Sequence, residues 1–243
     1  MDIGIIGYGR FGVLLHEMIS RFTPKAQVRV FSRGAVPDSK VFFTLAEVAQ
    51  CDAVVLAVPI HVFEDRIKEI LPLLGKGSIV VDVATVKTHT VEILKRHLGT
   101  RPFVATHPMF GPESYEKKDK DVNGFRIVIT EHTLMPEQHD SFVAFLTQCG
   151  FDVVEMSAES HDKHLAETLF LTHFIGQVVS RGGFNRTQID TVSFGYLMDA
   201  VESVRHDIGL FQDVYRFNPY CEEMLKKFEI AEAEVHELLQ RKK

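Results

Sequence analysis

Three groups of residues in this chain have the types and spacing to do chemistry. The first is His107, in Val104-Ala105-Thr106-His107-Pro108-Met109-Phe110-Gly111-Pro112-Glu113-Ser114. It ends a short apolar strand, and Pro108 narrows the backbone choices of the residue before it, so the imidazole is presented rigidly. With a reference pKa of about 6.5, such a ring can take a proton from a hydroxyl near neutral pH. On position alone, a polar strand terminator is the alternative. The second group is Asp82-Val83-Ala84-Thr85-Val86-Lys87, where a hydroxyl and an ammonium follow an apolar strand directly. Thr85 and Lys87 are expected to face a crevice at the strand end. The alternative is local: Thr85 or Thr88 caps the next helix and Lys87 is solvated. The third is Gly7-Tyr8-Gly9-Arg10-Phe11-Gly12, between a strand pattern at residues 2–6 and a helix pattern at 13–19. Gly7 permits the tight turn, Gly9 lets the backbone approach a pyrophosphate and Gly12 allows close packing of helix on strand, with the helix N-terminus facing the anion. A glycine turn without a ligand is the alternative.

The second strand, Gln27 to Phe31, ends in Ser32-Arg33 rather than in the acidic residue that binds the 2'-hydroxyl of NAD. A hydroxyl and a guanidinium suit a 2'-phosphate, so NADP is expected in preference to NAD. Of the 12 histidines, His161 and His173 also invite attention. His161 opens a helix with Asp162 beside it. His173 lies in the apolar stretch Leu169 to Ile175, where charging it is costly, and the residues alone read equally well as a satisfied core histidine. No histidine, cysteine or carboxylate spacing suggests a metal.

The elements that must position these groups alternate. Strand patterns at 27–31, 53–58, 78–82 and 103–105 are separated by helix patterns, including a capping-box start at Thr44-Leu45-Ala46-Glu47. That order predicts an α/β fold, an N-terminal Rossmann-type dinucleotide-binding domain with ligands at the strand carboxyl ends. Residues 113–123 read as a charged loop that covers the site, and strands at 125–130 and 153–156 flank a helix at 136–149. Strand signals stop after Met156, which divides the chain into 1–156 and a smaller all-helical domain, 157–243. In that second part the segments 165–179 and 194–204 are strongly apolar. At its end, Leu225, Phe228, Val235 and Leu238 share one helix face. So apolar a set of helices in so short a segment predicts a homodimer.

Composition excludes several classes. A formal charge of -6 gives no reason to expect nucleic acid or a membrane surface, and the longest apolar run, broken by Pro59 and His61, is too short to span a bilayer. Cys51, Cys149 and Cys221 are scattered and odd in number, which fits a reducing, cytoplasmic setting without disulfides or zinc. A strand pattern from Asp2 leaves no room for a leader in the chain as given.

Taken together, these motifs resemble the arogenate and prephenate dehydrogenases of tyrosine biosynthesis, most closely the plant-type arogenate enzymes. The resemblance runs over nearly the whole chain. It is carried by the glycine fingerprint, Ser32-Arg33, Asp82 to Lys87, Thr106 to Ser114, Val154-Glu155-Met156-Ser157, His161-Asp162-Lys163, Thr172-His173 and Phe217-Asn218-Pro219. The run His107 to Ser114 is its specific part; the fingerprint is shared with many dehydrogenases. It implies that His107 is the catalytic histidine on the ring hydroxyl of a cyclohexadienyl acid and that Thr85 stands near that hydroxyl. It also puts His161, His173, Lys87 and Ser114 with the substrate and makes the helical domain dimerise. The implied reaction is an oxidative decarboxylation in which hydride goes to the nicotinamide, the hydroxyl proton goes to His107, and loss of carbon dioxide aromatises the ring.

Three positions depart from the family pattern. Thr85 stands where serine is common. Leu169 replaces a glutamine. Glu202 stands where many prephenate enzymes carry a carboxylate-binding arginine and the plant arogenate branch carries glutamate. Glu202 favours arogenate, whose amine Asp162 is then expected to meet. Three other readings stay open: prephenate as substrate, another small hydroxy acid, and a non-catalytic NADP-binding redox sensor. Some relatives carry a C-terminal regulatory domain; this chain ends in Arg241-Lys242-Lys243, so tyrosine is expected to inhibit only at the active site.

Overall fold

The computed structural model describes residues 1–240; Arg241, Lys242 and Lys243, on which the expectation about tyrosine rests, lie outside the described residues. The chain divides into two compact units, Met1–Glu159 and Ser160–Lys243.

The first unit is built on a seven-stranded sheet in the order β2-β1-β3-β4-β5-β6-β7. Its strands are β1 (Asp2–Ile6), β2 (Gln27–Phe31), β3 (Ala53–Leu56), β4 (Ile79–Asp82), β5 (Phe103–Pro108), β6 (Arg126–His132) and β7 (Asp152–Glu155). The strands β1 to β5 are mutually parallel, whereas β6 runs antiparallel to β5 and parallel to β7. The crossovers are α1 (Arg10–Phe22), α2 (Leu45–Ala49), α3 (Phe63–Ile70) and α4 (Lys87–Leu98), with α5 (Pro112–Lys117) and α6 (Pro136–Gln148) further on. The near-continuous apolar character of the central strands follows from coverage on both faces. Val54, Leu56 and Val80 are fully buried in one core with Phe63 and Ile67 of α3 and Leu94 of α4. The start of α2 is the capping box the sequence announces, with the Glu47 amide on Thr44 Oγ1 and the Thr44 amide on Glu47 Oε2.

Residues 113–123 are not an open loop. Pro112 occupies the first turn of α5, Ser114 Oγ accepts from the Gly111 amide at 2.9 Å, and Tyr115 is fully buried with Leu14 and Met18 of α1. Arg21 donates to the Tyr115 hydroxyl and to the Lys120 carbonyl, and Lys120 pairs with Glu17 at 2.8 Å. The segment's charges and the Tyr115 hydroxyl tie it to α1.

The second unit is helical: the rest of α7 (Ala158–Leu165), a π-helical turn at Ala166–Phe170, α8 (Leu171–Arg181), α9 (Val192–Val204), α10 (Ile208–Phe217) and α11 (Cys221–Gln240). Helices α8 and α9 pack closely at Gly176, where an added Cβ would come within 2.4 Å of Val204 Cγ2. Gln177 Nε2 donates to the Val204 carbonyl at the same crossing. Apolar side chains stay exposed on this unit, among them Phe184, Ile189, Val192, Tyr196, Val235 and Leu238. Of the face expected on the last helix, Leu225 and Phe228 are half-buried, the latter edge-on to Phe174, while Val235 and Leu238 face solvent.

Candidate active site

The carboxyl ends of β1 to β5 bring the first unit's candidate residues to one edge of the sheet, as parallel strands followed by crossovers must. At β1, Gly7 has a φ of +108°, and a Cβ there would lie 2.2 Å from the Ala57 carbonyl oxygen. At Gly12 an added Cβ would lie 2.2 Å from the Gly7 carbonyl oxygen. At Gly9 it would meet nothing within 4 Å. Two glycines are thus demanded by the protein's own backbone, while Gly9 keeps open space above the start of α1. That helix has no side-chain cap on Gly9, so its first amides point into the space. These residues fit a pyrophosphate.

Tyr8 packs edge-on against Phe42 at 5.1 Å and Phe11 approaches Phe110 at 6.4 Å. Arg10 forms an ion pair with Glu113, joining the fingerprint to the segment after His107. At the end of β2, Ser32 is half-buried and Arg33 is exposed, without an ion pair among the described residues. Both are compatible with a phosphorylated ribose.

At the end of β4, Asp82 is fully buried. Its Oδ1 accepts from the Ala84 amide at 2.7 Å, and its Oδ2 accepts from Lys87 Nζ at 2.6 Å and from Thr90 Oγ1 at 2.7 Å. Lys87 is also fully buried and donates a second bond, at 2.6 Å, to the Thr106 carbonyl. The solvated alternative for Lys87 is therefore excluded, and as a direct substrate ligand it has no exposed surface. Nor does either threonine cap α4, whose N-cap is Val86 without a side-chain bond. Thr85 is half-buried at the turn.

His107 is 5% exposed on β5, opposite Val128 of β6. The β5–β6 register shifts just before it, Ala105 pairing with Glu131 and Thr106 with Ile129. Thr106 Oγ1 donates to the Asp82 carbonyl at 2.8 Å. Ser114 spends its hydroxyl on the Gly111 amide and carbonyl.

In the second unit, His161 is 3% exposed, with Nδ1 2.8 Å from Asp162 Oδ1. With Nδ1–H on the carboxylate, Nε2 is the ring's acceptor. Asp162 itself is fully buried, and its carboxylate backs His161. Asn218 Nδ2 secures the Asp162 carbonyl at 2.8 Å. His173 stacks on Phe211 with centroids 6.2 Å apart, and its buried Nδ1 has no partner among the described residues. Burial pushes its pKa down, against a weaker pull from Asp207. Leu169 lies in the π-helical turn, a local widening that often marks functional positions. Glu202 is paired with Arg186 at 2.9 Å, and Asp199 holds the same guanidinium at 2.7 Å.

The residues that sequence reasoning missed are Asp82, Thr90 and Thr106. Their one signal was a carboxylate closing an otherwise apolar strand. No metal-ligating group of three or more side chains occurs among the described residues, and no described helix is long and apolar enough to cross a membrane.

Comparison with known proteins agrees with this geometry. The prephenate dehydrogenase nucleotide-binding domain matches residues 28–150, half of the chain, and a TYRAAT1-like C-terminal domain matches residues 178–243. Arogenate dehydrogenase 1, chloroplastic, of Arabidopsis thaliana is 27% identical over 95% of this chain, which spans only 38% of that protein's length. Arogenate dehydrogenase 2, chloroplastic, from the same plant is 26% identical over 95% of this chain and 68% of its own length. Among solved structures, prephenate dehydrogenase from A. aeolicus in complex with hydroxyphenyl propionate and NAD+ superposes with a TM-score of 0.75 at 19% identity, covering 98% of this chain and 90% of that one. A seven-stranded dinucleotide-binding sheet, a histidine held at its strand ends and a matching domain over half the sequence have one common explanation: the chain belongs to the arogenate and prephenate dehydrogenase family of oxidoreductases.

Proposed function

We propose that this protein is an NADP-dependent arogenate dehydrogenase, converting arogenate to tyrosine by oxidative decarboxylation. The observation that carries the reading is His107, an imidazole held on β5 at the edge of the sheet where the glycine fingerprint also ends. Gly7, Gly9, Gly12 and the first turn of α1 would hold the pyrophosphate, with Tyr8, Arg10 and Phe11 around it and Ser32 and Arg33 on the 2'-phosphate. When bound, the nicotinamide supplies the acceptor for the hydride that leaves the hydroxyl-bearing ring carbon. His107 takes the hydroxyl proton as the carbonyl develops, and Thr85 offers a hydroxyl to the same oxygen. The C–C bond to the carboxylate then breaks, releasing carbon dioxide; its electron pair runs through the ring to the carbonyl oxygen, which takes the proton back from His107 to leave the phenol.

On the substrate side His161, oriented by Asp162, and His173 supply ring nitrogens. Arogenate is favoured over prephenate by charge. Glu202 and Asp199 both hold the Arg186 guanidinium, and a glutamate rather than an arginine at position 202 supports an amine-bearing substrate over one with a second carboxylate. The exposed apolar side chains of the second unit support a homodimer, and three free cysteines support a reducing compartment. Steady-state kinetics with arogenate and prephenate, each with NADP and NAD, test the proposal. The highest kcat/KM is expected for arogenate with NADP; a higher value for prephenate with NAD overturns both choices.

A further inference from the structure

We infer that Asp82 is a positioning residue that fixes Thr85 and His107 relative to one another. The inference rests on the reading of His107 as the group that takes the hydroxyl proton. Its physical basis is a geometric shortfall in the sheet. Strand β4 ends at Asp82, which pairs with Ala105, whereas β5 continues through Thr106 and His107 to Pro108. Beyond Ala105 the side of β5 facing β4 has no ladder partner. The shift against β6 falls at the same place, between Ala105 and Thr106. On its other side the overhang stays paired with β6 through Pro108, so the β4-facing side is the one whose polar groups need other partners.

Asp82 and its counterion supply those bonds. Lys87 Nζ donates to the Thr106 carbonyl, and Thr106 Oγ1 donates to the Asp82 carbonyl, so the residue immediately before His107 is held at its carbonyl and at its hydroxyl. The carboxylate of Asp82 accepts the Ala84 amide, immediately before Thr85, and Thr90 Oγ1 from the first turns of α4. Asp82 therefore reaches the residue before Thr85 through its carboxylate, and the residue before His107 through its main-chain carbonyl and through Lys87, which the same carboxylate holds. Stability alone does not account for it, because a buried ion pair is commonly replaceable by neutral side chains of similar size at no loss. Precise placement does, because a displacement of about 1 Å in a reacting group costs on the order of a hundredfold in rate.

The test uses the full chain carrying Asp82→Asn together with Lys87→Met, which removes both charges at once and preserves side-chain size. Per NADP-binding site, kcat is expected to fall about a hundredfold while KM for arogenate and for NADP stays within roughly threefold. Combined with His107→Asn, the pair is expected to cost little beyond the loss that His107→Asn causes alone, since both changes act through one group. An unchanged kcat, or losses that multiply with His107→Asn, overturns the inference. Thr106→Val deletes only the hydroxyl on the Asp82 carbonyl and serves if the pair variant does not fold; about a tenfold fall in kcat is expected, and none overturns it. Imidazole NMR signals of His107, identified by their loss in His107→Asn, read the same point without turnover. They are expected to shift or broaden in these variants while those of exposed His236 stay in place. Unmoved His107 signals overturn the inference. Moved signals in a chain that turns over neither arogenate nor prephenate leave it standing and overturn the proposed function instead.

Discussion

His107 and His173 are buried to nearly the same degree, 5% and 6% exposed, yet their surroundings differ in kind. The backbone leading to His107 is held by Lys87 and by the Asp82 carbonyl. His173 lies among aromatic rings, stacked on Phe211, with its Nδ1 unpaired among the described residues. A buried polar atom left without a partner costs about 1–3 kcal/mol, a cost that the atoms bound before His107 do not carry. The contrast separates two jobs. On the proposed function, His107 moves a proton and is placed before substrate arrives, whereas His173 recognises substrate and keeps its hydrogen bond for it.

Removing the placed imidazole is the strongest way to break this comparison. His107→Asn is expected to lower kcat by roughly a thousandfold while the Kd for NADP hardly changes, measured by steady-state turnover and cofactor fluorescence titration. Turnover equal to that of the parent would remove His107 from the chemistry.

The glycine fingerprint repeats the division between space the protein fills and space it keeps open. A side chain at Gly7 meets the Ala57 carbonyl at 2.2 Å with φ at +108°, so Gly7→Ala should destabilise the fold by about 2–4 kcal/mol in chemical denaturation. Gly9→Ala meets nothing and should leave stability within about 0.5 kcal/mol while weakening NADP binding at least tenfold. Equal effects at the two positions would mean that the open space has no ligand.

His173→Phe sharpens the contrast directly. It deletes the unpaired nitrogen and keeps the stack on Phe211, so denaturant unfolding should show a gain of about 1 kcal/mol, while KM for arogenate rises about tenfold. A gain in stability with unchanged KM would make His173 a core residue only.

The smallest expected effect is on pH. Burial holds the folded-state pKa of His173 below its ordinary value, so the unfolded chain binds the proton more readily. The stability linked to this residue is therefore complete above about pH 6.5 and is lost as pH falls below it. Thermal melts between about pH 7.5 and 5.5 should show a shallower decline for His173→Phe than for the parent; parallel curves would contradict the assignment.

The alternation of strands and helices, the fingerprint and the capping box at Thr44 were legible in the sequence because each depends on residues within a few positions of one another. Residues 113–123 were misread because lysines and glutamates look like a solvated loop until Tyr115 is seen buried against Leu14 and Met18. Lys87 was expected either in the crevice or in water, and it is in neither. Asp162 reads in the sequence as a group for a substrate amine, and in the fold it is buried with His161 Nδ1 on its carboxylate. In each case a charged residue's role was set by a partner that local pattern does not reveal.

The sequence by itself determined that a dinucleotide-binding sheet would end in a proline-restrained histidine, because strand periodicity, turn glycines and the backbone limits of proline act locally. Only the tertiary structure decided that Asp82 would bind the residues beside both Thr85 and His107, because β5 outruns β4 and the overhang's β4-facing side is held by Lys87 Nζ and the Asp82 carbonyl, from a distant stretch of the chain.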